Sequence, residues 1–266
     1  MEQKPVYIKD KWSTPNIGIA VLGYVICQFI LGLVFIYLVA FIYAAFNGLE
    51  FSILIEVLSG ADKTFTDAYI SGASIVNGWG NFLVYITSFV IVTFYMRDIL
   101  KNDFYELKNN IKYEAWFVPL MTIIFLVITL VVQNLVAQLV PQSNNQSAIV
   151  EVLKGNAAVP MIISVVICAP VIEELIYRKA IFSYTQKHGK WVAYVVSIVL
   201  FTLPHMLSTT SDINTWLLQC IPYALSAFLL AFIYDRGKHS IYSSIFVHMA
   251  NNLLAVVMTY ITLGVF

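Results

Sequence analysis

Residues 159–182 read VPMIISVVICAPVIEELIYRKAIF. The run is long enough to cross a bilayer as a helix, which takes about 20 predominantly apolar residues. Its second half nevertheless carries Glu173, Glu174 and Arg178. A charge at the centre of a spanning helix costs roughly 2.5–3.5 kcal/mol on insertion scales, so adjacent carboxylates there need a compensating reason. Arg178 supplies part of it, lying four residues after Glu174, where the two can meet on one face with the acid N-terminal to the base. Glu173 then sits about 100° around the helix and can point elsewhere. Pro170 removes a backbone donor just ahead of the pair and favours a kink, which opens room for water near the carboxylates. A purely structural role, with both glutamates pairing with Arg178, competes with the general rule that ionisable groups inside a membrane are functional.

Working outward, apolar runs recur at Ile17–Phe46, Trp79–Met96, Trp116–Leu139, Trp191–Met206, Trp216–Tyr234 and Ile241–Phe266. The fold expected is all-α, a polytopic transmembrane bundle of about seven helices, as a single membrane domain over residues 1–266. The Trp191 run is the shortest, and the last has room for a break. Phe51–Ala61 is apolar but too short to span, and suits an interfacial or re-entrant piece. The first run is too long for the roughly 7–15-residue core of a cleavable signal peptide and reads as a retained helix. Composition agrees: 60% of residues are hydrophobic and only 11% charged, with zero net charge, and mean hydropathy is +0.81. Lipid is therefore the solvent for most of the chain. No Lys or Arg run exceeds two, which argues against nucleic acid as a partner. Cys27, Cys168 and Cys220 all fall in apolar stretches without metal-ligand spacing and read as packing residues.

With the N-terminus in the cytoplasm, thirteen Lys and Arg residues fall on the inner side, while only Lys63 and Lys154 fall outside. This positive-inside bias supports both the orientation and an odd number of helices. The lean loops suit a bacterial cell membrane.

Two histidines join the acid pair. His205 follows Pro204 at the end of the fifth run, and His248 lies in the seventh, in His248-Met249-Ala250-Asn251-Asn252. A lone membrane histidine is often only an interhelical hydrogen-bond partner, but two such helices beside a Glu-Glu helix point to a site. Asn251 and Asn252 lie three and four residues after His248, so spacing does not choose between them. His188 and His239 fall in short basic loops and read as solvated. Helix counting raises one difficulty. Glu173 and His248 lie about 10–14 Å from the cytoplasmic helix ends, but His205 lies about 22 Å from Lys190. Unless the fifth helix starts late, tilts or begins along the interface, His205 is too far away to join.

The elements EExxxR at Glu173, Glu174 and Arg178, FxxxH at Phe201 and His205, and HxxxN at His248 and Asn252 resemble the signature motifs of the CAAX-protease and bacteriocin-processing family, the group that includes Rce-type enzymes trimming prenylated CAAX proteins. The resemblance covers roughly Pro141 to Leu254, including a polar loop with Asn144, Asn145 and Gln146. Tyr177 stands where many members carry Phe. The resemblance implies an intramembrane endopeptidase acting on membrane-associated or lipidated peptides or proteins, near the cytoplasmic half of the bilayer. It implies Glu173 as general base, His205 as a partner for the water and the proton, His248 and Asn252 as oxyanion donors, and Glu174 and Arg178 as supports. Amide hydrolysis needs this set: an activated water, donors for the oxyanion and a proton for the leaving amine. No cofactor is expected. Zinc is the alternative, since two histidines and a glutamate are also a zinc ligand set, although HExxH is absent. Competing functions are a non-catalytic scaffold or bacteriocin-immunity protein that retains the motif, and a proton-relaying transporter, for which an internal repeat would be expected and none is evident.

Overall fold

The computed structural model describes residues 14–60, 64–207, 212–238 and 240–264. Lys4, Lys9, Lys11 and Lys63 of the charge count, His239, and the last two residues of the seventh run lie outside the described residues.

The described chain is an all-α bundle. In chain order its helices are α1 (Asn16–Asn47), α2 (Phe51–Leu58), α3 (Asp67–Tyr95), α4 (Arg97–Asn109), α5 (Ile111–Ala137), α6 (Asn144–Leu153), α7 (Ala158–His188), α8 (Lys190–Met206), α9 (Ile213–Arg236) and α10 (Ile241–Thr262). Six of these, α1, α3, α5, α7, α9 and α10, are long and apolar enough to cross a membrane. The fifth expected span, α8, has 17 residues, about 25 Å of helix, which falls short of a hydrocarbon core of about 30 Å. The last helix runs from Ile241 to Thr262 without the break that its sequence allowed.

Three elements depart from the sequence expectations. Asn144, Asn145 and Gln146 lie not in a loop but in the first turn of α6, where the Ser143 hydroxyl caps the helix by accepting from the Gln146 amide. The charged stretch after Met96 is the amphipathic helix α4, which turns Ile99 and Asp103 inward. Helix α3 starts at Asp67, well before the apolar run at Trp79. Its first half is rich in small residues because neighbours come close. A Cβ at Gly72 would stand 2.8 Å from the Tyr43 ring, one at Gly80 2.9 Å from Ile36, and one at Gly78 would collide with Ala157. In lipid, where apolar side chains gain little by leaving their solvent, such close backbone approach is a main source of helix association.

Burial identifies the central helix. Of the apolar stretch of α7, 72% is buried inside the protein, against 17% for α1 and for α5, whose outer faces remain for lipid. Ile172, Leu175 and Ile176 pack against residues of α1, α3, α8, α9 and α10 in one continuous cluster. Pro170 does not break α7. The helix instead runs in wider π turns on both sides of it, over Ile163–Cys168 and Glu174–Phe182. Such turns absorb the missing donor by re-registering the hydrogen bonds, and they often occur at functional sites.

One carboxylate locks the charged ends together. Both oxygens of Asp103 in α4 receive Lys179 Nζ of α7 at 2.8 Å, and one also accepts the first amide of α10, Ile241 N, at 3.0 Å. A carboxylate at a helix N-terminus also complements the positive end of the helix dipole. This clasp fixes the starting point of α10, seven residues before His248.

Candidate active site

The two glutamates of α7 face different neighbours. Glu174 is fully buried. Its Oε2 lies 3.2 Å from Arg178 Nε, and its Oε1 lies 3.1 Å from His248 Nδ1 across the interface with α10. Arg178, equally buried, donates from Nη1 to Ser197 Oγ of α8 at 2.7 Å and lies over the Phe201 ring, 5.0 Å from its centre. Ser197 passes its own hydrogen to the Tyr177 carbonyl at 3.0 Å, so the guanidinium is held by a chain of partners. Glu173, one residue earlier, turns into a cavity, with Oε2 3.8 Å from His248 Nε2.

His248 therefore stands between both carboxylates. It presents Nδ1 to Glu174 and Nε2 to Glu173, and an imidazole donates from both nitrogens only in its protonated form. The separation at Nε2 exceeds a hydrogen bond and leaves the two groups free to engage a third between them.

The cavity, about 280 Å³, is lined by Glu173, His205, His248, Asn251 and Asn252, with Tyr85 and Tyr223 on its walls. All four residues expected to carry chemistry thus border one space, and the supporting pair lies behind it. His205 reaches this space even though α8 begins at Lys190, so the late start considered for that helix does not occur. Phe201, one turn earlier, meets His248 with ring centres 6.1 Å apart, and His205 stands a turn further along. There its ring stacks on Tyr223 of α9, with centres 4.9 Å apart and planes 9° from parallel.

Tyr223 went unnoticed in the sequence. Like His205 it directly follows a proline within a membrane helix, and that shared context was the available signal. Its hydroxyl bonds Ser143 Oγ at 2.7 Å and receives Asn145 Nδ2 at 3.4 Å, which joins the cap of α6 to the His205 ring. The structure also separates the two asparagines. Asn252 donates Nδ2 to the Val165 carbonyl at 2.8 Å, against the π stretch of α7, and accepts from Asn251 at 3.1 Å. One Asn252 N–H remains beyond that bond. Asn251 Oδ1 takes Thr129 of α5 at 3.4 Å. Among the described residues, no group of three or more His, Cys, Asp or Glu is placed to share a metal ion.

Fold and site together define a polytopic membrane protein with an ionisable cluster buried inside its helical bundle. Residues 155–254 match the family described as Type II CAAX prenyl endopeptidase Rce1-like, so the resemblance read from the three motifs holds over the segment that carries them. The chain is 35% identical over 119 residues to a Bacillus subtilis protein named "Putative membrane peptidase YdiL", covering 44% of this chain and 43% of that one. It is 27% identical over 152 residues to the UPF0177 protein YvdC of Lactococcus lactis, covering 55% of each. The matches span about half the length of these relatives. No solved structure matches the chain.

Proposed function

We propose that the protein is an intramembrane endopeptidase that hydrolyses peptide bonds of membrane-associated or lipidated peptides with a water activated by Glu173. The observation that carries this is the division of labour within the acid pair. Glu174 is committed to Arg178 and His248, whereas Glu173 faces the cavity beside His248 Nε2. A carboxylate with no arginine of its own can take a proton from water, and one bound to an arginine cannot readily do so.

In this reading Glu173 removes a proton as the water oxygen attacks the peptide carbonyl carbon. The oxyanion so formed accepts hydrogen bonds from His248, in its protonated form at Nε2, and from the remaining Asn252 N–H. Collapse breaks the C–N bond, and the proton held by Glu173 passes to the leaving amine, giving a carboxylic acid and an amine. His205, held flat against Tyr223, lies along the wall of the cavity and assists the proton transfer. No metal takes part in these steps.

The test compares membrane peptides from cells expressing wild-type protein and Glu173→Gln at equal levels. Peptides that shorten only with the wild type are expected. Identical peptide populations, with both proteins folded and present, would overturn the peptidase reading and favour a scaffold.

A further inference from the structure

The direction in which the cavity opens follows from which of its walls are exposed. Glu173, His248 and Phe201 at its floor are buried. Ala137, Pro141 and Gln142, which also line it, are exposed and lie at the C-terminal end of α5 and in the turn before α6. Gln219 and Tyr223 enter from the first half of α9, and Thr259 from the last turn of α10. These segments share one end of the bundle.

The Lys and Arg residues lie at the other end. That end carries α4 together with Lys187, Lys190, Arg236 and Lys238, whereas among the described residues Lys154 alone lies on the side of the mouth. Positively charged connections stay in the cytoplasm. The cavity therefore descends from the outer face, and its floor at Glu173 lies fifteen residues into α7 from Ala158, about 22 Å deep.

The lining specifies what enters. Among the described residues, Glu173 is the only acid that lines it, and no Lys or Arg does. Carboxamides recur from rim to floor instead, at Gln133, Gln142, Gln146, Gln219, Asn251 and Asn252. A carboxamide both donates and accepts, as a peptide group does, and carries no charge with which to select charged side chains.

We infer that this channel admits an uncharged stretch of extended peptide from the extracytoplasmic side and binds its main chain through these carboxamides, so that substrates are cut where they emerge on, or sit in, the outer leaflet. This rests on the peptidase reading and alters the expected side, since the motifs alone suggested the cytoplasmic half.

The test uses single cysteines in the full-length protein, at Gln142 and Ala137 on the rim and at Lys101 and Tyr184 at the opposite end, with the native cysteines retained and the parent protein as the labelling control. A membrane-impermeant maleimide is applied to intact cells and to everted vesicles, and Glu173-dependent membrane peptides are then measured in the intact cells. Gln142→Cys and Ala137→Cys should label in intact cells and Lys101→Cys and Tyr184→Cys only in everted vesicles. Labelling of either rim cysteine should abolish at least nine-tenths of the Glu173-dependent products. Rim labelling only in everted vesicles would overturn the inference and leave the peptidase standing. So would outside labelling that leaves those products unchanged. Absence of any Glu173-dependent product would remove both.

Discussion

Replacing Glu174 by glutamine exchanges one oxygen for an amide nitrogen and leaves Arg178 as an uncompensated charge inside the bundle. Both side chains have zero exposure, so water cannot take over the role of the lost carboxylate. Removing one partner of such a buried pair typically costs about 3–5 kcal/mol. The lower end applies here, because Ser197 still accepts from Nη1, Phe201 still offers its ring, and the glutamine oxygen can still accept one hydrogen bond. We therefore expect Glu174→Gln to lose about 3 kcal/mol, roughly a hundredfold in the unfolding equilibrium. The assay is SDS titration in mixed micelles followed by tryptophan fluorescence. Glu174→Gln combined with Arg178→Met removes both charges and should be more stable than Glu174→Gln alone, since it takes away the uncompensated guanidinium that the single variant leaves buried. A loss below about 1 kcal/mol, the scale of an exposed pair, would refute the reasoning. So would a double variant no more stable than the single one.

Asn252→Ala should lower turnover about a hundredfold, on the order of 3 kcal/mol, as loss of one oxyanion donor does; turnover within threefold of wild type in folded protein would assign Asn252 to the Val165 contact alone. Purified protein should keep its activity after dialysis against a strong chelator, with elemental analysis showing no stoichiometric metal. Zinc found at one equivalent and lost in His205→Ala would replace the proposed mechanism with a metal-based one. Asp103→Asn keeps an acceptor for the first amide of α10 but removes the charge facing Lys179, and should destabilise the protein by on the order of 2 kcal/mol. Hydrogen exchange over residues 97–109 should accelerate in that variant, and unchanged exchange there would show that α4 is held by its apolar face.

The elements most legible in the sequence were those that lipid selects. Long apolar runs located each of the six spans and also α8, because no loop survives in hydrocarbon. The same signal failed where packing rather than lipid sets composition. The start of α3 contains Gly72, Gly78 and Gly80 against neighbouring side chains, which lowers its hydropathy without weakening the helix in place. Helix α4 was hidden for the opposite reason, since it is too charged to stand out as an apolar run and its inward Ile99 and Asp103 are visible only as a helical face. At the site, the i,i+4 spacing of Glu174 and Arg178 anticipated their pairing, because both lie on one helix. The stacking of His205 on Tyr223 and the anchoring of Arg178 to Ser197 join different helices, and nothing local to any one of them records the partner. Distance from the membrane surface does not by itself fix membership of the site, since the cavity reaches both Glu173 and His205, which lies a turn away from the Phe201 that meets His248.

The pairing of Glu174 with Arg178 inside one helix has a consequence for biogenesis. Ser197 and His248, which complete the network, lie later in the chain, so α7 leaves the ribosome before either exists. A helix carrying two carboxylates and a guanidinium would enter the bilayer poorly if each charge had to wait for a neighbour. Because Glu174 and Arg178 are a single turn apart, that acid and base neutralise each other within the nascent segment, and the neighbouring Lys179 finds its partner Asp103 in α4, which is made earlier. The order of synthesis is thus compatible with the order of insertion: the helix that carries the acid pair can settle in lipid and acquire Ser197 and His248 as the later helices arrive.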